Sequence, residues 1–96
     1  MEYRVLEKRG RIIGVERVGV IKPWGFSLLK YTTDGGKFLE SWYADHTCEM
    51  NHFDKAVPKE RVDPEMLEIL ELGTIEKLLE AQQKGQYKKY KIEKIK

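Results

Sequence analysis

The sequence predicts an α+β fold: a four- or five-stranded antiparallel sheet, ordered mostly as a meander, with one or two C-terminal helices packed on one face. Three observations predict it. Val, Ile, Tyr and Trp crowd the first 44 residues in short runs broken by Gly and Pro; a helix-start signal stands at Asp63-Pro64-Glu65; and the residues after it carry apolar side chains at helical spacing. At 96 residues the chain has the length of a single domain. A domain this small has a thin core, which favours a groove, a sheet face or an interface over a deep active site.

The strands follow in order. "EYRVLEK" and "RIIGVERVGVI" read as two strands joined by a turn at Gly10, and Pro23 interrupts the second because it has no donor for a sheet ladder. "WGFSLLKYT" and "KFLESWYA" flank Asp34-Gly35-Gly36, a hairpin signal. A three-residue loop there would set Lys30 opposite Glu40, Leu28 opposite Trp42 and Tyr31 opposite Leu39, matching opposite charges and aliphatic with aromatic. On this reading Val5, Ile13, Val15, Leu28 and Trp42 face the helices. Residues 45–62 read as an irregular connection.

Asp63 suits an N-cap and Pro64 the first helical position. Met66, Leu67, Ile69 and Leu70 point one way at 100° per residue, whereas Ile75, Leu78 and Leu79 point nearly the opposite way. A break resolves the conflict, with Gly73 ending one helix and Thr74 capping a second. After Gly85, Tyr90 and Ile92 alternate with lysines as on an edge strand returning to the sheet.

The net charge of +2 is unevenly spread. Residues 1–44 hold eight Lys/Arg against five Asp/Glu, residues 45–83 four against ten, and residues 84–96 six against one. The N-terminal ten residues mix charges without an apolar stretch, and no run reaches the ~20 residues of a membrane span. One cysteine allows no internal disulfide. The chain reads as cytoplasmic, with no membrane partner and no cofactor.

"YADHTCEMNHFD" gathers His46, Cys48 and His52 within seven residues. These are good zinc ligands, but on a strand His46 and His52 would lie ~20 Å apart, and on a helix only Cys48 and His52 are neighbours. No second ligand pair occurs elsewhere in the sequence. A polar loop with a buried Cys48 is the preferred reading, and a metal site at His46, Cys48 and His52 is the alternative. A Cys48 nucleophile with His52 as base is disfavoured, because such a base is normally held by a distant segment. No phosphate loop, Ser-His-Asp pattern or paired-carboxylate motif appears.

Aromatic and basic side chains supply the binding candidates: Trp24, Phe26, Tyr31, Trp42 and Tyr43, with Arg9, Arg11, Lys88, Lys89 and Lys91. Aromatics of this kind are enriched at protein interfaces and also stack on single-stranded nucleic acid. A pI of 8.6 falls short of the strongly basic character of nucleic-acid binders. The sequence therefore points to a small non-enzymatic regulatory protein, inhibitor- or adaptor-like, that acts through a protein partner. Nucleic-acid binding through the basic sheet face and tail is the alternative, and homodimerisation would bury exposed apolar surface.

Overall fold

The β-branched and aromatic runs form strands, and the polar turns between them set a meander. In the computed structural model the described residues are 2–22, 25–45 and 50–95, with side chains described outside 20–28 and 42–54. The elements are β1 (Glu2–Lys8), β2 (Arg11–Lys22), β3 (Gly25–Asp34), β4 (Lys37–Asp45), β5 (Met50–Val57), a 3-10 turn (Lys59–Arg61), α1 (Pro64–Leu72), α2 (Ile75–Gln83) and β6 (Tyr90–Lys94). The α+β class and the two C-terminal helices agree with expectation. The strand count does not: the sheet has six strands in the order β5-β4-β3-β2-β1-β6, and β6 pairs parallel with β1. The chain leaves β5 at one edge, crosses one face through both helices, and returns at the other edge. Parallel pairing requires such a long crossover.

The extra strand lies in the segment expected to be irregular. β5, "MNHFDKAV", has its apolar residues at Met50, Phe53, Ala56 and Val57, out of strand alternation, yet it pairs with β4 along its whole length from Asp45↔Met50 to Phe38↔Val57. A polar edge strand is held by its ladder more than by its side chains.

The β3–β4 hairpin also corrects the expected register. Asp34 pairs with Lys37, so the loop is Gly35-Gly36, with φ of +56° and +83°. Positive φ at both central residues is what a two-residue type I′ turn demands. Lys30 consequently lies opposite Ser41, Leu28 opposite Tyr43, and Tyr31 opposite Glu40. A slip of one residue exchanges the two faces of a strand. Here it turns Tyr31 to the core face, 4% exposed, beside Phe38, which lies on that face in either register and is 8% exposed. Burying one such ring is worth ~1.5–3 kcal/mol, against ~0.2–1 kcal/mol for the Lys30–Glu40 pair given up.

The core lies between the sheet and the helices. Val5, Val15, Tyr31, Phe38, Val57 and Tyr90 pack against Val62, Met66, Ile69, Leu70 and Leu78. Val5 and Val15 thus occupy their expected places. Ile13 does not, because the register shift between Leu6 and Glu7 of β1 leaves Ile13 of β2 bulged, without a partner on β1, and Ile12 takes the buried position instead. The side chains of Leu28 and Trp42 lie outside the described set.

The helix break is where periodicity placed it. Gly73 ends α1 at φ +79°, and the Thr74 hydroxyl accepts from the Lys77 amide at 3.4 Å. Asp63 stands at the N-cap position of α1, although its side chain makes no cap bond. The bend is fixed to the sheet by two backbone bonds: the Ile12 amide donates to the Gly73 carbonyl at 3.0 Å, and the Ile75 amide donates to the Gly10 carbonyl at 2.9 Å. At the far end, the Gln82 side-chain amide donates to the carbonyls of Tyr87 and Tyr90 at 3.1 and 3.0 Å, directing the chain into β6.

The phase of α2 is open to a direct test. Leu78 is fully buried and its neighbour Leu79 is 47% exposed. Leu78→Ala should lower stability by ~2–5 kcal/mol in chemical denaturation. Leu79→Ala should fall within ~0.5 kcal/mol of wild type. Equal costs would mean that α2 is rotated about its axis.

Candidate functional site

With both helices on one face, the other face of the sheet has no described element over it. The register lines up a transverse row there: Lys91↔Arg4 between β6 and β1, Arg4↔Glu16 between β1 and β2, Glu16↔Lys30 between β2 and β3, and Lys30↔Ser41 between β3 and β4. From Arg4 through Glu16 to Lys30 the charges alternate in sign, as cross-strand pairing favours.

Arg4 is the hub of this row. Its guanidinium lies 3.4 Å from Glu2, 3.4 Å from Glu93 and 3.7 Å from Glu16. Lys30 reaches the row across Gly14. A Cβ built on Gly14 would meet the Thr32 methyl at 3.0 Å and the Tyr31 carbonyl at 3.2 Å, which are tight, and the Lys30 stem at 3.5 Å, an ordinary contact. Leu6, Glu16 and Ser41 are nearly buried here, 5%, 7% and 5% exposed, without belonging to the core under the helices. Burial pushes the Glu16 carboxyl above the ordinary carboxylate range, against the pull of Arg4 and Lys30 and with the help of Glu93.

The five basic residues expected from sequence to bind are spread along the sheet. Arg9 and Arg11 flank the β1–β2 turn, whereas Lys88 and Lys89 precede β6 at the other end of the sheet. The parallel register from Tyr3↔Tyr90 to Glu7↔Lys94 separates these groups by roughly 15–20 Å, at ~3.3 Å per residue. Lys89 is engaged on the helix side, 3.0 Å from Glu65 and 4.5 Å from the centre of the Tyr3 ring. Lys91 alone of the five belongs to the uncovered row.

Tyr31 is a core residue. Burial, then the neighbouring Glu40 carboxylate that its hydroxyl meets, raises its pKa above the usual tyrosine value. Trp24 lies outside the described residues, as do His46 and Cys48. The side chains of Phe26, Trp42, Tyr43 and His52 lie outside them too, although the backbone register sets His52 opposite Tyr43. Among the described residues no group of three His, Cys, Asp or Glu is placed to hold a metal ion. No described helix is long and apolar enough to cross a membrane.

The residues that sequence reasoning missed are Glu2, Glu16, Glu93 and the hub role of Arg4. Their alternation along β1 and β2 is visible in the sequence, but the row depends on register, which the bulge beyond Leu6 disguises. In comparisons with known proteins, no family model, no curated protein and no solved structure matches the chain.

Glu16 provides a pH test. A carboxyl whose folded pKa is raised binds its proton more readily in the native state, so its ionised form destabilises the fold. That penalty is present above the folded pKa and disappears as pH falls towards the ordinary value of 4.5. Glu16→Gln should therefore match or exceed wild-type stability at pH 7, within ~1 kcal/mol, and flatten the dependence between the two pKa values. Thermal melts from pH 4 to 7 read this. A large loss of stability in Glu16→Gln at pH 7 would mean that the ion pair with Arg4 outweighs desolvation.

Proposed function

We propose that this chain is a small non-enzymatic regulatory protein, inhibitor- or adaptor-like, that binds a protein partner through the uncovered face of its sheet. The observation that carries this reading is the mixed-sign row centred on Arg4. A face built to hold nucleic acid needs a continuous excess of positive charge to displace counterions. Here Arg4 is ringed by three glutamates and Lys30 adjoins Glu16, leaving little net charge. Alternating charges set register against a protein surface of complementary pattern and reject a uniform polyanion.

The separation of Arg9 and Arg11 from Lys88 and Lys89 by the length of β6 supports the same preference, because these four do not gather into one compact basic patch.

Affinity capture from the native source, with both protein and nucleic acid analysed in the eluate, tests the proposal. A specific protein should be retained after nuclease treatment. Lys30→Gln should weaken its retention about tenfold, equivalent to ~1.4 kcal/mol, while the Arg9→Ala/Arg11→Ala pair should leave it unchanged. Retention of nucleic acid instead, lost in the arginine pair and falling steeply with salt, would overturn the proposal.

A further inference from the structure

A second surface lies at the rim, where the β3–β4 turn meets the end of β5. A groove of about 340 Å³ opens there, lined by Lys37, Phe38, Ala56, Val57, Pro58 and Lys59. Its floor is apolar. Phe38 and Val57, 8% and 9% exposed, belong to the core and also line the groove. Its walls are cationic. Lys59 stands 5.8 Å from the centre of the Phe38 ring and 3.5 Å from Glu71, with its side chain still 62% exposed. Lys37 is exposed and has no ion-pair partner among the described residues.

The groove adjoins an open sheet edge. β5 is the last strand in the order, and one side of its backbone pairs with β4 while the other has no ladder among the described residues. The opposite edge is less available: β6 has five residues, with Lys91, Glu93 and Lys94 exposed, whereas β5 has eight. Short, charged edge strands resist strand addition, and longer ones invite it.

We propose that the β5 edge and its groove dock an extended segment of a protein partner, which carries an aliphatic side chain beside a carboxylate. This rests on the protein-partner reading above and gives that partner's contact a chemistry. In strand addition, main-chain hydrogen bonds supply affinity and a pocket for alternate side chains supplies specificity. The aliphatic group enters over Phe38 and Val57, and the carboxylate meets the Lys59 ammonium at the groove wall, with Lys37 at its mouth. The wide opening towards β5 suits a segment that continues along the strand better than an enclosed small molecule.

The probe is the capped peptide acetyl-Thr-Asp-Thr-Leu-Thr-Asp-Thr-amide, whose Leu and Asp side chains share one face of an extended strand, titrated into the nitrogen-15-labelled full chain. Saturable amide shifts are expected at residues 36–38, 55–57 and 59. A Lys37→Glu/Lys59→Glu variant should bind at least tenfold more weakly, as should a peptide with lysines in place of both aspartates. A peptide N-methylated at alternate backbone positions should not saturate. Both substituted lysines are exposed, and the peptide variants test the same chemistry on the unaltered protein.

Shifts on the Arg4 row instead, no saturation at millimolar peptide, or equal binding of the lysine or N-methylated peptide would overturn the proposal. So would a species of twice the chain's 11.3 kDa mass in light scattering with shifts at β5, since a second copy would then occupy the edge. Loss of the captured partner in Lys30→Gln but not in Lys37→Glu/Lys59→Glu would overturn the groove and leave the sheet-face reading standing. Loss of partner binding in neither variant would overturn both.

Discussion

Two backbone hydrogen bonds hold the bend between the helices to the tip of the first hairpin, and the arrangement of both layers depends on them. The Ile75 amide opens α2 and would have no partner within its own helix, as is usual for a first-turn amide. It donates instead to Gly10, and the Ile12 amide returns a bond to Gly73. Both glycines sit at positive φ, +80° and +79°, where a side chain would strain the backbone. Under the turn, the Glu7 carboxylate is buried and accepts from the Gly10 amide. The hairpin tip is therefore braced from below and pinned from above, and the direction of both helices across the sheet is set at this point.

Once the bend is pinned, Met66, Ile69 and Leu78 bury completely against Val5 and Val15, and the thin core is used up on one side of the sheet. Nine-residue helices are too short to be stable by themselves and depend on that contact. The opposite side must then be stabilised by residues of the sheet alone. Arg4, Glu16, Lys30 and Gly14 do this by pairing charges across strands and laying a long side chain along the pleat. Glu16 accepts a desolvation penalty in exchange for order in the row. Such a surface is polar enough to face water and regular enough to match a second protein.

What was legible in the sequence was local. The break at Gly73-Thr74 could be read from the two apolar directions on either side of it, and the return of Tyr90 and Ile92 to the sheet from their alternation with lysines. What was not legible depended on partners distant in sequence. The Asp34-Gly35-Gly36 stretch fits more than one loop, and an attractive Lys30–Glu40 pair favoured the wrong one; only the burial of Tyr31 against the helices decides. The Ile13 bulge has no local mark. The apolar residues of β5 do not alternate, and the direction of β6 follows from a crossover over the whole sheet. Because register was the hidden quantity, the row around Arg4 was hidden with it. Arg9, Arg11, Lys88 and Lys89 looked like one basic group because composition does not record which end of a strand a residue occupies.

Native-state hydrogen exchange of the Ile12 and Ile75 amides tests most directly whether the pinned bend governs this architecture. If it does, the two amides open together, with the same free energy and denaturant dependence as the buried β1 and β2 amides, because releasing the bend releases the core. Exchange of the Ile75 amide at a loop-like rate while Val5 and Val15 stay protected would contradict it. The helices would then be held by side-chain packing alone.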